Sequence, residues 1–203
     1  YFWYVLLRKA DTLRMIYVIL FSLFFYYKSS GIYFLLLLGS AVVDYNLGNL
    51  VHRTSSVFYK KLSLTFSIIL NLGFLGYFKY SNFLVDITNT VTGEKFAFFD
   101  VILPVGISFY TFQSISYIIE VYRKEIEPSK DISDYAFYMT FFPHLVAGPI
   151  VRAKDFLPQI VAPQIINTAL YKESIMRITI GLIKKLFIAD YLGKYVSLVH
   201  ETP

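Results

Sequence analysis

The feature that most constrains this chain is a succession of long apolar runs that contain no charged residue. Five runs follow one another, at Met15–Tyr27, Ser29–Val43, Leu62–Phe78, Val101–Ile119 and Tyr135–Val151. A helix that crosses the hydrocarbon core of a bilayer needs about 20 mainly apolar residues. The last three runs have 17, 19 and 17 residues and come close to that length, whereas the first has 13 and would need its flanks. The runs predict membrane-spanning helices.

The composition supports this interpretation. Charged residues make up 16% and hydrophobic residues 56% of the 203 residues, whereas soluble domains carry about 25% charged residues. Inside lipid, each segment must satisfy its own backbone polar groups, which a helix does. The predicted fold class is therefore all-α, a polytopic transmembrane helical bundle.

Cysteine, histidine and net charge exclude other classes of site. The chain has no cysteine and only three histidines, so no metal site is predicted. The net charge of +5 lies mostly in short loops between the apolar runs. Basic residues in such loops set the orientation of a membrane protein, and no nucleic-acid partner is predicted.

The basic residues are distributed unevenly between alternate loops. Nine lie on one side of the predicted bundle and three on the other, and the positive-inside rule places the richer side in the cytoplasm. The richer side holds Arg8, Lys9, Arg14, Arg53, Lys60, Lys61, Arg123, Lys124 and Lys130. The other side holds Lys28, Lys79 and Lys95, with Asp86–Lys95 predicted as an exterior loop.

Proline and glycine interrupt the fifth run. Pro143 removes a backbone donor and disfavours helix at Phe142, and Gly148 and Pro149 interrupt the segment again. Non-helical backbone at membrane depth survives only inside protein or beside a watery cavity. A broken or re-entrant segment is therefore predicted near residues 141–152.

Two residues of this segment are candidates for function. His144 is an ionisable residue within an apolar run, which is a functional hypothesis by default. It would either line a tunnel or hold the kink by bonding a carbonyl that Pro143 leaves free, and the sequence favours neither. Arg152 could hold the phosphate of a donor in its guanidinium fork, although anchoring at the membrane interface is the more common role.

A polar stripe marks the fourth run. Its members follow helical steps of three or four residues and share one face. They are Gly106, Tyr110, Gln113, Ser116 and Glu120. Because polar groups are costly in lipid, this face is predicted to turn inward. It would bond to neighbouring helices or, as the second interpretation, line a substrate passage with Tyr110, Gln113 and Ser116.

Five stretches of the chain carry a further resemblance. They are Tyr45–Gly48, Leu75–Phe83, Leu103–Gln113, Phe141–Arg152 with Asp155–Gln159, and Gly181–Lys185. In this order they resemble the membrane-bound O-acyltransferase family, and within it the bacterial alginate O-acetyltransferase branch. The resemblance covers roughly residues 30–195.

The resemblance implies a multi-pass enzyme of the bacterial inner membrane with no bound cofactor. It would transfer an acyl group, in this branch acetyl, from a cytoplasmic thioester donor such as acetyl-CoA towards an extracytoplasmic polysaccharide such as alginate. Its other implied partners are the lipid bilayer and a periplasmic or extracellular acetyltransferase.

The resemblance does not supply a catalytic residue within this chain. The family histidine lies in a Trp-His-Gly type motif, which is absent here, and His144 matches a different position. We therefore expect residues 1–203 to be the N-terminal part of one transmembrane domain, with the catalytic part and its histidine beyond Pro203. Such a fragment would be inactive alone.

Two other function classes remain open from the sequence. A transporter or flippase would use the broken segment and the Gln113 stripe as a substrate path. A non-catalytic membrane scaffold would need no such path.

Overall fold

The computed structural model describes residues 11–146, 149–161 and 168–201. The chain divides into two compact units, residues 1–161 and 162–203. The described residues form helices and loops with no β-strand, so the predicted all-α class is confirmed. The expectations for Arg8, Lys9 and Gly148 lie outside the described residues.

The first unit contains eight described helices. They are α1 (Asp11–Ser30), α2 (Phe34–Arg53), α3 (Val57–Leu75), α4 (Ser81–Thr92), α5 (Ile107–Tyr122), α6 (Ile132–Thr140), α7 (Phe142–Val146) and α8 (Ala153–Val161). A 3₁₀ turn at Gly31–Tyr33 joins α1 to α2, and a π turn at Gly76–Tyr80 joins α3 to α4.

Two continuous helical stretches of the described chain are long and apolar enough to cross a membrane. They are Thr12–Arg53 and Val57–Thr92, and they contain the first three predicted spans. The fourth run does not form one helix, because Val101–Gly106 is not helical and α5 begins at Ile107. With 16 residues, α5 is about 24 Å long, which is shorter than the hydrocarbon core.

The predicted exterior loop at 86–95 is wrong over its first seven residues, which belong to α4. This helix ends at Gly93, whose φ of 74° suits glycine. Two asparagines then fix the chain that follows. Asn82 and Asn89 each exchange a reciprocal pair of hydrogen bonds with the backbone, at Phe99 and Phe96 respectively, with lengths of 2.8–3.0 Å.

Helices α2, α3 and α5 form the centre of the first unit. At one end, Tyr33 packs on Phe78 and Lys79 Nζ donates to Ser108 Oγ at 3.3 Å. At the other end, residues from the end of α2, the start of α3 and the end of α5 line one cavity. Lys79 therefore lies at the opposite end from Arg53, Lys60 and Lys124, which agrees with the predicted grouping of the loops.

Close approach between α2 and α5 depends on glycine. A Cβ added to Gly48 would come within 2.8 Å of Cε1 of Tyr117. Tyr117 is fully buried and packs on Tyr135 of α6 with ring centroids 4.5 Å apart. The small residue therefore lets an aromatic core form between the three helices.

The second unit is helical across its described part. It contains α9 (Thr168–Ile183), a π turn at Lys184–Ala189 and α10 (Asp190–Glu201). Two ion pairs lie within this unit, Arg177 with Glu173 at 2.6 Å and Lys185 with Asp190 at 3.2 Å. Residues 174–196 are thus helical although they contain charged residues, and Arg177 and Lys185 are paired locally.

Candidate functional site

The polar stripe on α5 faces the interior of the first unit. Tyr110, Gln113 and Glu120 are buried, and Ser116 is half-buried. The prediction that this face turns inward is therefore confirmed. The five residues do not form one cluster, however, because ten residues of helix separate Tyr110 from Glu120, or about 15 Å.

Gly106 fixes the start of the stripe. Its φ is 73°, a left-handed conformation that glycine adopts without strain. A Cβ at this position would also collide with the carbonyl of Leu145, at the C-terminal part of α7. The chain bends at Gly106, and the bend brings the broken segment against the N-terminus of α5.

Next along the stripe lie Tyr110 and Gln113. The Tyr110 hydroxyl lies beside that of Tyr26 on α1. Gln113 is 2% exposed, and its Oε1 accepts no hydrogen bond from the described residues. Buried amide oxygens in proteins almost always have a partner, so Gln113 Oε1 is a candidate acceptor for a ligand hydroxyl.

Glu120 organises the other end of the stripe. Its carboxylate accepts hydrogen bonds from Ser116 Oγ at 3.0 Å and from the backbone N–H of Lys154 at 3.1 Å. Arg152 Nε lies 3.5 Å from the same carboxylate. Glu120 therefore ties α5 to the first turn of α8, where a negative charge is favoured by the helix dipole.

This arrangement gives Arg152 a partner that the sequence analysis did not identify. Its side chain is 55% exposed, whereas that of Glu120 is 3% exposed. Glu120 is the only acidic residue of the predicted stripe, and Arg152 directly follows the predicted break. These two positions are the signal from which the ion pair could be predicted. Phosphate binding by Arg152 stays a prediction.

The broken segment is present, with the break one residue earlier than predicted. Helix α6 ends at Thr140, Phe141 adopts a non-helical ψ of 103°, and α7 starts at Phe142. Pro143 thus occupies the first turn of α7, where its missing N–H costs no hydrogen bond. The N–H of Phe142 donates instead to Ser22 Oγ on α1 at 3.3 Å.

His144 lies between two aromatic rings. Its ring meets Phe141 and Phe156 edge-on, with centroids 4.9 and 5.1 Å away. Its Nδ1 is buried and has no hydrogen-bond partner among the described residues. The contacts hold the imidazole in place by packing, and they leave Nδ1 available to a ligand.

The structure also contains a buried polar cluster that the sequence analysis missed. Asp44 of α2 is fully buried and accepts hydrogen bonds from Ser67 Oγ at 2.6 Å and from Asn71 Nδ2 at 3.1 and 3.0 Å. In the sequence, Asp44 directly follows the uncharged run Ser29–Val43, a position typical of a carboxylate at the membrane interface. A signal was present in the polar residues Ser63, Ser67 and Asn71, which recur every four residues along α3.

Curated relatives of this chain are bacterial O-acetylating proteins. The chain is 42% identical over 134 residues to the probable alginate O-acetylase AlgI of Azotobacter vinelandii, covering 64% of the chain and 27% of the relative. It is 41% identical to the Pseudomonas aeruginosa protein of the same name, over 64% of the chain and 26% of the relative.

A third relative matches almost the whole chain. The peptidoglycan O-acetyltransferase of Helicobacter pylori is 32% identical over 215 aligned residues, which cover 93% of the chain and 41% of the relative. The chain thus spans between about a quarter and two fifths of the length of these relatives. No protein-family model matches it, and no solved structure is significantly similar to it. The alginate and peptidoglycan relatives together confirm the resemblance to membrane-bound O-acyltransferases that the sequence motifs predict.

Proposed function

We propose that this chain is part of a multi-pass, inner-membrane O-acetyltransferase that acetylates hydroxyl groups of an extracytoplasmic polysaccharide. The observation that carries this proposal is the pair of relatives whose names specify O-acetylation of two glycans, alginate and peptidoglycan. We further propose acetyl-CoA as the donor and a separate extracytoplasmic acetyltransferase as a partner.

The reaction needs a base and a path, but no bound cofactor. The acceptor hydroxyl attacks the thioester carbonyl carbon, so that a C–O bond forms while the C–S bond breaks and the thiolate leaves. A neutral imidazole, with an ordinary pKa of about 6.5, can accept the hydroxyl proton during this attack. We place this base on a histidine beyond residue 203.

Within this chain, Gln113 and His144 are the proposed substrate-facing residues. Both have a buried polar atom without a partner among the described residues, Oε1 and Nδ1 respectively. Either atom can accept a hydrogen bond from a hydroxyl. Ser116 and Arg152 hold Glu120, and Tyr110 packs beside Tyr26, so these three position the stripe.

The activity is tested with the full gene product, expressed in bacteria that lack their own alginate and peptidoglycan O-acetyltransferases. Acetyl esters are then measured on each polysaccharide. Esters on one polymer identify the acceptor. If neither polymer gains esters while export of a glycan changes, the transporter interpretation replaces the acetyltransferase.

His144 is tested by two substitutions in the same protein. We expect His144→Phe to preserve the packing between Phe141 and Phe156 but to lower acetyl transfer about a hundredfold, the size of one lost proton-transfer or polar contact to substrate. His144→Ala should lower both transfer and stability. Normal turnover of His144→Phe, at equal membrane abundance, would show that the imidazole serves packing alone.

A further inference from the structure

A cavity lies at one end of the first unit, where α5 ends. It has a volume of about 530 Å³, within the range of small-molecule sites. The end of α2, the start of α3 and the chain that follows α5 line it, with cationic side chains from each of the three at Arg53, Lys60 and Lys124. None of these cations forms an ion pair within the described part of the chain.

The acidic residues of the cavity do not balance these cations. Glu125 and Glu127 also line it, but Glu125 is paired with Arg123, at 3.6 Å, which is not a lining residue. Three cations therefore face one remaining carboxylate. Like charges that share a cavity repel one another unless an anion lies between them.

Lys124 is held in an unusual conformation for its type. Its φ is 60°, the only positive φ at a non-glycine residue in the described chain. It terminates α5, with its N–H donating to Val121 O at 3.0 Å and the next N–H to Glu120 O at 2.9 Å. Glycine is the usual residue at such a helix end, and strained non-glycine residues cluster at binding sites.

The helix that contributes Lys60 to the cavity also exposes apolar side chains. Val57, Phe58 and Leu62, on the first turns of α3, are 64%, 67% and 53% exposed. Thr54 and Ser55 add hydroxyl groups to the lining, and Ser56 provides no side-chain cap to the N-terminus of α3. Cations, hydroxyls and adjacent apolar surface at the end of a membrane-length helix fit a phosphate group attached to an acyl chain.

We propose that this cavity binds a phosphate group, supplied by an anionic phospholipid at the membrane surface or by a soluble phosphorylated ligand. The proposal does not depend on the acetyltransferase activity. The phosphate oxygens would lie between Lys60, Lys124 and Arg53, where charge-assisted hydrogen bonds are strongest.

The chain offers a closely matched control in two consecutive lysines. Lys60 lines the cavity and is half-buried, whereas Lys61 is exposed and does not line it. Lys60→Gln and Lys61→Gln remove the same charge from the same turn of α3. A non-specific attraction to an anionic surface would weaken equally in both variants. A specific phosphate site in the cavity would lose affinity in Lys60→Gln but hardly in Lys61→Gln.

The test measures the thermal unfolding midpoint of the purified full-length protein in neutral detergent. Phosphatidylglycerol, phosphatidylcholine or inorganic pyrophosphate is titrated in, because a ligand that binds the folded state raises this midpoint. We expect phosphatidylglycerol to raise it, Lys60→Gln to weaken the apparent Kd about tenfold, and Lys61→Gln to change it less than about twofold.

Lys124→Gly separates binding from folding. It removes the cation and the left-handed strain together, so it should raise the midpoint without ligand and still weaken phosphatidylglycerol binding about tenfold. A response to pyrophosphate with the same variant pattern would assign the site to a soluble phosphate. No response to either probe, or equal losses in Lys60→Gln and Lys61→Gln, would overturn the proposal.

Discussion

Two buried carboxylates of the first unit, Asp44 and Glu120, are held in different ways. Asp44 accepts hydrogen bonds from neutral side chains, among them Ser67 and Asn71. Glu120 has a cation, Arg152, as well as a hydroxyl and a helix N-terminus. The first therefore joins α2 to α3 inside the bundle, and the second joins α5 to a segment that solvent reaches.

This difference predicts how much stability each cluster loses when one of its hydrogen-bond donors is substituted. A buried charge without a counter-ion depends on every hydrogen bond that it receives, because nothing else compensates its desolvation. A carboxylate with several kinds of donor, one of them half-exposed, loses less when one donor is removed. The predictions below test this contrast on the free energy of unfolding, measured by equilibrium unfolding in mixed micelles.

The largest effect is expected for Asn71→Leu. The leucine fills a similar volume but removes both amide hydrogen bonds that Asp44 accepts from Asn71, and removing one partner of a buried charge costs about 3 kcal/mol. Asn46→Leu is the control, because Asn46 is exposed and its amide bonds only its own helix, at Val42 O. Equal losses in the two variants would mean that Asp44 does not depend on α3.

The sequence predicts the contacts of these clusters only where the residues are close along the chain. The inward face of α5 follows from its own spacing, because helical periodicity is local. Ser67 and Asn71 lie 23 and 27 residues from Asp44 along the chain. Lys154, whose backbone N–H donates to Glu120, lies 34 residues from that glutamate. Periodicity shows that such residues are polar and inward-facing, but not which of them meet.

The same reasoning explains the errors at the helix ends. Asp86, Asn89 and the threonines of residues 86–92 favour a loop by composition. In the structure, however, the hydroxyls of Thr88, Thr90 and Thr92 donate to the carbonyls one turn back in α4. The fourth run is uncharged throughout, but Pro104 and the close approach of Gly106 to Leu145 delay α5 until Ile107. Hydropathy does not detect either effect.

A smaller loss is expected from Gly48→Ala, one turn after Asp44 on α2. The added methyl group would meet the ring of Tyr117 at 2.8 Å, and overpacking of a core costs about 1–3 kcal/mol. Gly39→Ala, on the same helix, has open space around the new Cβ and should be neutral or stabilise by up to about 1 kcal/mol. If both variants stabilise, α2 and α5 can separate, and the bonds of Asp44 to α3 alone fix α2.

The smallest of the three effects is expected for Arg152→Gln. Glu120 keeps the Ser116 hydroxyl and the Lys154 N–H, and Arg152 itself is 55% exposed. We therefore expect a loss of about 1 kcal/mol, partly restored in Arg152→Lys, which keeps the charge without the planar fork. Arg123→Gln breaks a pair in which both side chains are more than one third exposed and should change stability by less than about 0.5 kcal/mol. If Arg152→Gln lowers the free energy of unfolding as much as Asn71→Leu, Glu120 depends on the Arg152 cation as fully as Asp44 depends on the Asn71 amide. The two carboxylates would then differ only in their location.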